Sequence, residues 1–340
     1  MNKTLILRFS SLGDVAITIP IIRCLCEKYP KDHFVFVSRK KFRPLFEEFH
    51  NLSFFQVDFK NRHKGILGLI MLFKDLKKIK PYKIADLHNV LRTRIIVFLF
   101  RLFFYKVRSL DKMRSDRKKL TRLKNKVFKP LTPIHFKYQE VFNKLGYQID
   151  LSKDHNFPTT KPPNNADDLH SNTKIGIAPF AKHVGKVYPL DLTQKIIAYL
   201  SKKNQVYLFG FADELKILKK WESSYKNVIC SSSYMNFNEE IQLISNLDLM
   251  ISMDSANGHI ASIYNVPVIT IWGLTHPYAG FATFNYNIEN QFCVDRDKYP
   301  YIPTSIYGNK ENKGYEDAMR SIDLNKILYR ANQILNQTSS

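Results

Sequence analysis

The sequence has few cysteines, and their positions suggest neither a disulfide framework nor a metal site. The 340 residues include only Cys24, Cys26, Cys230 and Cys293, with no C-x-x-C pair and no metal-ligand spacing. Cysteines this sparse are typical of proteins from a reducing compartment rather than of small secreted domains.

Long apolar runs are also absent. The first residues lead directly into a predicted strand, so we expect no secretory signal. Residues 95–105 form the nearest candidate for a membrane span, but they are too few to cross a bilayer and include Arg101. Hydrophobic residues still make up 44% of the chain, which excludes wholesale disorder and allows two domains with sizeable cores.

Acidic residues are scarce: 30 Asp and Glu stand against 52 Lys and Arg, giving a net charge of +22. Such an excess indicates an anionic partner, which could be nucleic acid, a phosphorylated substrate or an anionic membrane. Residues 101–129 carry twelve of the basic residues and only two acidic ones, directly after the apolar stretch. A solvated charge run would explain them, but the adjoining Phe and Leu residues favour docking on a surface.

Predicted strands and helices alternate along the chain, which indicates a parallel α/β fold. We predict an N-terminal Rossmann-like domain at 1–160, a second at 174–320, and a C-terminal helix within 321–340 that returns toward the first domain. A linker rich in Pro and Asn is predicted at 152–173. Pro20 should bend the first long helix.

Two turns between a strand and a helix stand out, because parallel sheets bind ligands at such positions. In the turn at 254–259, small residues would let backbone N–H groups approach a phosphate at a helix N-terminus. The turn at 10–14 places Asp14 at the start of a helix, where it could act as a general base. Considered alone, the turn at 254–259 is explained by helix capping as well as by ligand binding, whereas the turn at 10–14 is explained better by capping.

Two further loops have the residues of a nucleotide site. Lys182 and Lys186 flank His183 after a predicted strand, and flexible ammonium groups suit a diphosphate, although exposed lysines are common in so basic a chain. Glu214 opens a helix after Gly210, where it could bind ribose hydroxyls or simply complement the helix dipole.

Taken together, these motifs resemble the heptosyltransferase family, the ADP-heptose:lipopolysaccharide heptosyltransferases and their relatives. The resemblance runs along nearly the whole chain and is carried by four stretches of sequence, residues 8–15, 86–89, 186–189 and 254–259. It implies the GT-B architecture, in which two Rossmann-like domains face a central cleft. The family usually has Gly at the third position of the last motif, whereas this chain has Ala256 there and Gly258 two residues later.

The resemblance also implies roles for individual residues. Asp14 matches the general base, and Lys186 matches the lysine near the donor phosphates, so both are predicted to be catalytic. The residues implied in donor binding are Lys182, Glu214, Met235, Asp254, Ser255, Ala256, Asn257, Gly258 and His259. The residues implied in acceptor binding are Ser11, Gly13, His88, Asn89 and Arg92. No metal and no cofactor is expected, because lysines and helix N-termini would stabilise the leaving diphosphate.

The sequence therefore predicts an inverting glycosyltransferase that moves a heptose from ADP-heptose to a lipopolysaccharide or lipooligosaccharide core acceptor. We expect a cytoplasmic protein, peripheral on the inner face of the cytoplasmic membrane, whose partners are the nucleotide-sugar donor, a lipid-linked glycan acceptor and an anionic membrane surface. One alternative is a GT-B enzyme that uses another nucleotide sugar. The other, a non-catalytic nucleic-acid-binding protein, is favoured only by charge, and we expect no nucleic-acid partner.

Overall fold

The computed structural model describes residues 2–158 and 173–338. Strands and helices alternate through both ranges. Those of the first range are β1 Lys3–Leu7, α1 Leu12–Ala16, α2 Ile19–Lys28, β2 His33–Arg39, β3 Leu52–Val57, α3 Gly65–Lys78, β4 Lys83–Asp86, α4 Leu91–Leu102, β5 Lys106–Ser109, α5 Arg114–Thr121, α6 Ile134–Lys144 and α7 Leu151–Asp154. Those of the second are β6 Lys174–Ala178, α8 Leu190–Leu200, β7 Gln205–Leu208, α9 Leu215–Ser224, β8 Val228–Ile229, α10 Phe237–Ser245, β9 Leu249–Met253, α11 Ala256–Ile263, β10 Val268–Trp272, β11 Gln291–Cys293 and α12 Leu324–Thr338.

The first sheet has five parallel strands in the order β3-β2-β1-β4-β5. Its central strand β1 is buried after Lys3 and ends in the apolar run Leu5, Ile6 and Leu7, as expected for a strand covered by helices on both faces. The chain builds outward from β1 to β3 and then continues on the other side of β1 with β4. This reversal between β1 and β4 is the topological switch point, outside which ligands bind in open α/β sheets.

The second sheet repeats this plan with six strands in the order β11-β10-β9-β6-β7-β8. Its described pairings are parallel, and its switch point lies between β6 and β9, where Ala178 is registered with Ser252. The α/β class predicted from the sequence is therefore confirmed for both halves of the chain.

The first helical stretch of the chain, residues 12–28, is interrupted near Pro20, as predicted. Helix α1 ends at Ala16, and α2 restarts at Ile19 with Pro20 at its second position. Proline is tolerated in the first turn of a helix, where its missing N–H would have had no partner. The helix is therefore interrupted just before Pro20 and restarts with this residue in its first turn.

The described part of the chain divides into two compact units, one within 1–113 and 132–156 and the other within 114–131 and 157–340. This division differs from the predicted bounds at residues 114–131, which carry much of the basic segment and pack with the second unit. The linker predicted at 152–173 begins with the short helix α7, and its residues 159–172 lie outside the described part of the chain.

Helix α12 was expected to return toward the N-terminal domain. In the structure its apolar side belongs to the core of the second unit, where Ile327, Ala331 and Ile334 are buried. Within residues 2–158 and 173–338, no helix combines the length and the apolar character that crossing a membrane requires.

Candidate active site

The switch point of the first sheet holds a carboxylate, Asp14, fixed by two neighbours. Arg8, directly after β1, places its guanidinium 2.7 Å from Asp14 Oδ2. The backbone N–H and the hydroxyl of Ser11 donate to the same oxygen over 3.2 and 2.8 Å. Nothing in the described residues hydrogen-bonds to Oδ1, and the side chain is 25% exposed. One oxygen therefore anchors Asp14, and the other remains available to a substrate hydroxyl.

The electrostatics around Asp14 keep it ionised. Burial alone would raise the pKa of this carboxyl, but the positive charge of Arg8 and the hydrogen bonds from Ser11 and Arg8 together hold it below its ordinary value. At neutral pH the group is thus a carboxylate that can accept a proton. The Ser11 contacts also show that Asp14 satisfies a backbone donor at the helix start, as the capping interpretation requires.

The strand on the other side of this switch point, β4, ends at the buried Asp86. Its Oδ1 accepts the backbone N–H groups of His88 and Asn89 over 3.0 and 2.8 Å, which folds both residues back over the sheet edge. The His88 ring packs edge-on against Phe9, and its Nδ1 accepts the Phe9 N–H at 3.4 Å. Arg8 completes the link between the two strands by donating to the carbonyl of Leu87 at 2.7 Å.

His88 is uncharged at neutral pH. Burial and the nearby positive charge of Arg8 lower the pKa of its imidazole to about 3. Because Nδ1 accepts a hydrogen bond from Phe9, the neutral ring carries its proton on Nε2. His88 can therefore donate a hydrogen bond at this site but does not supply a positive charge.

The predicted acceptor residues are brought together around these strand ends, though not all have free polar groups. Ser11 and Gly13 lie in the first turn with Asp14. The Asn89 side chain donates to the carbonyl of Leu110 and accepts from Arg94, each over 2.7 Å, so its amide holds the loop. Arg92 stacks its guanidinium 4.8 Å from the centre of the Phe59 ring.

The switch point of the second sheet holds an ion pair between two of the predicted residues. Lys186 Nζ lies 2.7 Å from Asp254 Oδ2, and their side chains are only 13% and 10% exposed. The hydroxyl of Thr275 donates to the same oxygen at 3.0 Å. Three loops, which follow β6, β9 and β10, thus meet at one carboxylate.

Glycines allow the Lys186 loop to pack this closely. The Leu274 N–H donates to the Gly185 carbonyl at 2.8 Å, and a side chain at Gly273 would overlap that carbonyl. Gly308 lies against the aliphatic stem of Lys186, so that a Cβ there would overlap Lys186 Cγ and Cδ. The position of the ammonium group is therefore set by backbone packing as well as by its partner Asp254.

The turn after β9 begins helix α11, with Ser255 as the N-cap residue and Ala256 and Asn257 in the first turn. The backbone N–H groups of a first helical turn have no partners within the helix, and together with the dipole they favour an anion. Lys186 adds a positive charge close to this turn.

The fifth and sixth residues of the turn at 254–259 are Gly258 and His259, and Gly258 stands two positions after the usual place of the family's glycine. Gly258 approaches β9 so closely that a Cβ would overlap the Ser252 hydroxyl, so the small residue is needed at this position. His259 follows it and is buried. The glycine of this turn therefore serves the packing of α11 on the sheet.

The remaining predicted donor residues lie at the same edge of the second sheet. Glu214 follows β7, and its Oε2 accepts the Phe211 N–H at 2.8 Å, while burial raises the pKa of its carboxyl. Met235 follows the neighbouring strand β8 and is half-buried. Lys182 is exposed on the loop that leads to Lys186. Within the described ranges, no group of three or more His, Cys, Asp and Glu residues could hold a metal ion.

Two residues with evident roles were not singled out from the sequence. Arg8 was noted only as part of a motif, although a charged residue that closes a buried apolar strand is itself a signal. Gly308 lies in a loop where no sequence pattern links it to Lys186.

Two doubly wound parallel sheets, each with charged residues at its switch point, agree with the predicted GT-B class, and this architecture is confirmed by the comparisons below. The model of glycosyltransferase family 9 (heptosyltransferase) matches residues 81–300, more than half of the chain. The protein belongs to this family, and the predicted resemblance is confirmed.

Individual relatives agree with this assignment. The chain is 23% identical over 301 residues to the lipopolysaccharide core heptosyltransferase OpsX of Haemophilus influenzae, covering 85% of this chain and 83% of that protein. Among solved structures, it is similar to a family 9 glycosyltransferase of Veillonella parvula, with a TM-score of 0.74, 17% identity, and coverage of 99% of this chain and 98% of the other. It is also similar to ADP-heptose LPS heptosyltransferase II of E. coli, with a TM-score of 0.68, 16% identity and complete coverage of both chains.

Proposed function

We propose that this enzyme transfers a heptose from ADP-heptose to a lipopolysaccharide or lipooligosaccharide core acceptor, with inversion at the anomeric carbon. The observation that carries the proposal is the cluster of Lys186, Asp254 and Thr275 beside the first turn of α11. An ammonium group and unpartnered backbone N–H groups next to each other suit a diphosphate. A heptose donor is supported by relatives named as heptosyltransferases, one of them solved with ADP and with an ADP-2-deoxy-2-fluoro heptose.

The chemical step follows from the two sets of residues. Asp14 Oδ1 takes the proton of the acceptor hydroxyl, and the acceptor oxygen attacks the anomeric carbon from the face opposite the diphosphate. The bond from this carbon to the β-phosphate oxygen breaks, and ADP leaves with the bonding electron pair. Lys186 and the N-terminus of α11 stabilise the developing negative charge, so the chain's own residues serve both ends of the displacement.

The nucleoside part of the donor is assigned to the ends of β7 and β8. We assign Glu214 to accept hydrogen bonds from the ribose hydroxyls and Met235 to make an apolar contact with the adenine. Lys182 and the loop of His259 complete the donor site. Ser11, Gly13, His88, Asn89 and Arg92 follow the ends of β1 and β4 and are assigned to the acceptor.

The test is a screen of nucleotide sugars. A ligand that binds only the folded protein raises its unfolding temperature, so ADP-heptose should stabilise the enzyme more than UDP-, GDP- or dTDP-hexoses do. Release of ADP should then depend on an added core acceptor. Preference for a different nucleotide sugar would support the alternative donor, while binding to nucleic acid without any donor turnover would support the non-catalytic alternative.

We further propose that the protein works in the cytoplasm as a peripheral protein on the inner face of the cytoplasmic membrane. A net charge of +22 supports an anionic membrane as its partner. A lipid-linked acceptor would be presented at that surface.

A further inference from the structure

Helices α3 and α4 carry large apolar side chains on their outer sides. Six of them form what we call the apolar ridge: Ile66, Leu67 and Met71 of α3, Phe98 and Leu102 of α4, and Phe104 just after it. Leu67 is 82% exposed, Phe98 60% and Phe104 96%. Single exposed apolar residues are ordinary, but a group of this size on two packed helices marks an interaction surface.

The ridge is the second apolar face of these helices. Their inner faces already fill the core of the first unit, with Leu72 and Leu76 of α3 and Ile96 and Phe100 of α4 fully buried. A helix at the surface of a water-exposed protein normally has polar residues on its outer side. The outer side of α3 and α4 is instead suited to a second apolar environment.

Basic residues surround the ridge. Lys74, Arg94 and Arg101 lie exposed on the same two helices. The ammonium group of Lys77 lies 3.6 Å from the centre of the Phe103 ring, which shows how closely charge and aromatic surface are interleaved. Such a pattern suits a surface with negative headgroups above an apolar interior.

Acidic residues do not balance this charge. Residues 60–108 include thirteen Lys and Arg but only two Asp. Asp86 is fully buried, and Asp75 is 13% exposed and bound by Arg62 at 2.8 Å. The surface around the ridge is thus strongly positive, which favours anionic lipid over an apolar partner without charge.

We infer that the apolar ridge of α3 and α4 is the face by which this enzyme docks on an anionic lipid bilayer. The first turns of α3 and α4 follow the carboxyl ends of β3 and β4, at the sheet edge where Asp14 lies. Ile66 and Leu67, in the first turn of α3, lie on this side of the sheet, so docking through them brings the Asp14 side of the first unit toward the lipid. Phe98, Leu102 and Phe104 extend the contact toward the amino ends of the strands. The inference rests on the proposed function only in taking the acceptor to be lipid-linked.

The ridge suits this role better than the later part of the basic segment, which was expected to dock. Residues 114–131 are held against the second unit. Lys126 Nζ donates to the carbonyls of Leu120 and Pro303 at 2.6 and 2.8 Å. The Arg296 guanidinium covers the Phe128 ring at 3.4 Å. The aromatic residue of this arm is therefore already used within the protein.

Vesicle binding tests the inference directly. The probe is a vesicle of phosphatidylcholine and phosphatidylglycerol at low salt, and the variant is Leu67→Ser/Phe98→Ser/Phe104→Ser. We expect its partition onto vesicles to fall by about tenfold or more, since three exposed apolar side chains are removed. The matched control, Tyr286→Ser/Ile288→Ser/Tyr329→Ser, removes exposed apolar side chains from the second unit and should bind as the wild type does.

A second variant compares the ridge with residues 114–131, which we call the basic arm. It replaces Lys118, Lys119, Arg122 and Lys124 with Gln. We expect this variant to keep the binding that comes from insertion of apolar side chains and to lose only the electrostatic attraction of the four basic residues. If it alone loses binding while the ridge variant binds like the wild type, the inference is wrong. Unfolding temperatures of all variants should match, because every substituted side chain is exposed.

A tryptophan at Phe98 gives a second, independent measurement. Both natural tryptophans are buried, Trp221 at 4% and Trp272 at 1% exposed, so they should not respond to lipid. In Phe98→Trp, vesicles should shift the emission to shorter wavelength, whereas Tyr329→Trp should show no shift. No shift at Phe98 would also overturn the inference.

Failure of the docking face can be told apart from failure of the proposed function. The ridge variant should transfer heptose to a lipid-free core oligosaccharide at the wild-type rate and be slowed only on an acceptor embedded in vesicles. Absence of heptose transfer by the wild type would refute the proposed donor, yet leave the vesicle results to decide on the ridge.

Discussion

Lys186 and Asp254 form an ion pair at the switch point of the second sheet, with Nζ 2.7 Å from Oδ2. The two residues belong to loops that are far apart in sequence and become neighbours only because β6 and β9 are adjacent strands. The pair keeps the ammonium group in place without any ligand. A diphosphate binding here must share this ammonium with Asp254, whose carboxylate would otherwise repel it.

Lys186→Ala should therefore weaken the binding of ADP and of the donor. A charge-assisted hydrogen bond contributes about 1.5–3 kcal/mol, so we expect roughly a tenfold to hundredfold higher Kd for ADP by calorimetry. Binding of free adenosine, which has no phosphate, should change little. An equal loss for both ligands would show that Lys186 supports the fold of the loop instead, and Lys186→Ala/Asp254→Asn controls for the carboxylate left unpaired.

Gly308 should affect the binding of ADP through its contact with Lys186. Its φ is +76°, and a Cβ at this position would overlap the stem of Lys186. Gly308→Ala should displace the ammonium group and raise the Kd for ADP about as much as Lys186→Ala does. In the Lys186→Ala background it should have little further effect, as expected when two changes act on one contact.

Gly314 provides the control for backbone strain. It has a similar φ of +83°, but a Cβ there would meet nothing within 4 Å. Both Ala variants incur the conformational cost of a positive φ, about 1 kcal/mol, and Gly308→Ala should lose more stability than Gly314→Ala because it also displaces Lys186 from Asp254. Only Gly308→Ala should lose ADP affinity, and a matching loss in Gly314→Ala would mean that strain, not Lys186, is responsible.

Much of the fold was predictable from the sequence, because apolar strands alternate with amphipathic helices and Pro20 marks a helix break. The motif residues at the ends of the strands were also found, since small and charged residues that follow an apolar run are visible in any such chain. The sequence did not show which of these residues lie next to one another in the structure. The strand orders that bring Arg8 beside Leu87, and Lys186 beside Asp254, depend on which strands become neighbours.

The basic arm shows a second limit of the sequence. Residues 114–131 look like a solvated or lipid-binding run, because composition reveals their charge and not their partners. In the structure Arg117 is buried, with its guanidinium 4.8 Å from the centre of the Phe281 ring, and burial lowers the pKa of Lys126 to about 8. Contacts of this kind join distant parts of the chain and leave no periodic signal.

Asp14→Asn tests the general base. The amide keeps the size of the side chain and its contact with Ser11 but cannot accept a proton at neutral pH. We expect turnover to fall by about 10²–10⁴-fold, the usual contribution of general-base catalysis, while the Kd for ADP stays unchanged. Because Asn also loses the ion pair with Arg8, the unfolding temperature must be measured alongside. Turnover close to that of the wild type would remove Asp14 from the mechanism.

Arg8 should set the pH at which Asp14 stops working. In the wild type, burial opposes ionisation of this carboxyl, and the charge and hydrogen bond of Arg8, with those of Ser11, hold its pKa below the ordinary value. The ionised base is then present at neutral pH and lost only as the pH falls through that lowered pKa. Arg8→Gln removes the cation and leaves burial opposed by Ser11 alone, so the pKa rises. The acid limb of kcat/KM should consequently move to higher pH, whereas in Arg8→Lys, which keeps the charge, it should move less.

The same linkage applies to the stability of the protein. The stabilisation from Asp14 is present above the pKa of this carboxyl in the unfolded chain, and it shrinks when the difference between the folded and unfolded pKa values is reduced. Arg8 also donates to the Leu87 carbonyl, so both variants need unfolding curves at neutral pH. An acid limb that does not move in correctly folded Arg8→Gln would mean that a group other than Asp14 controls the pH dependence.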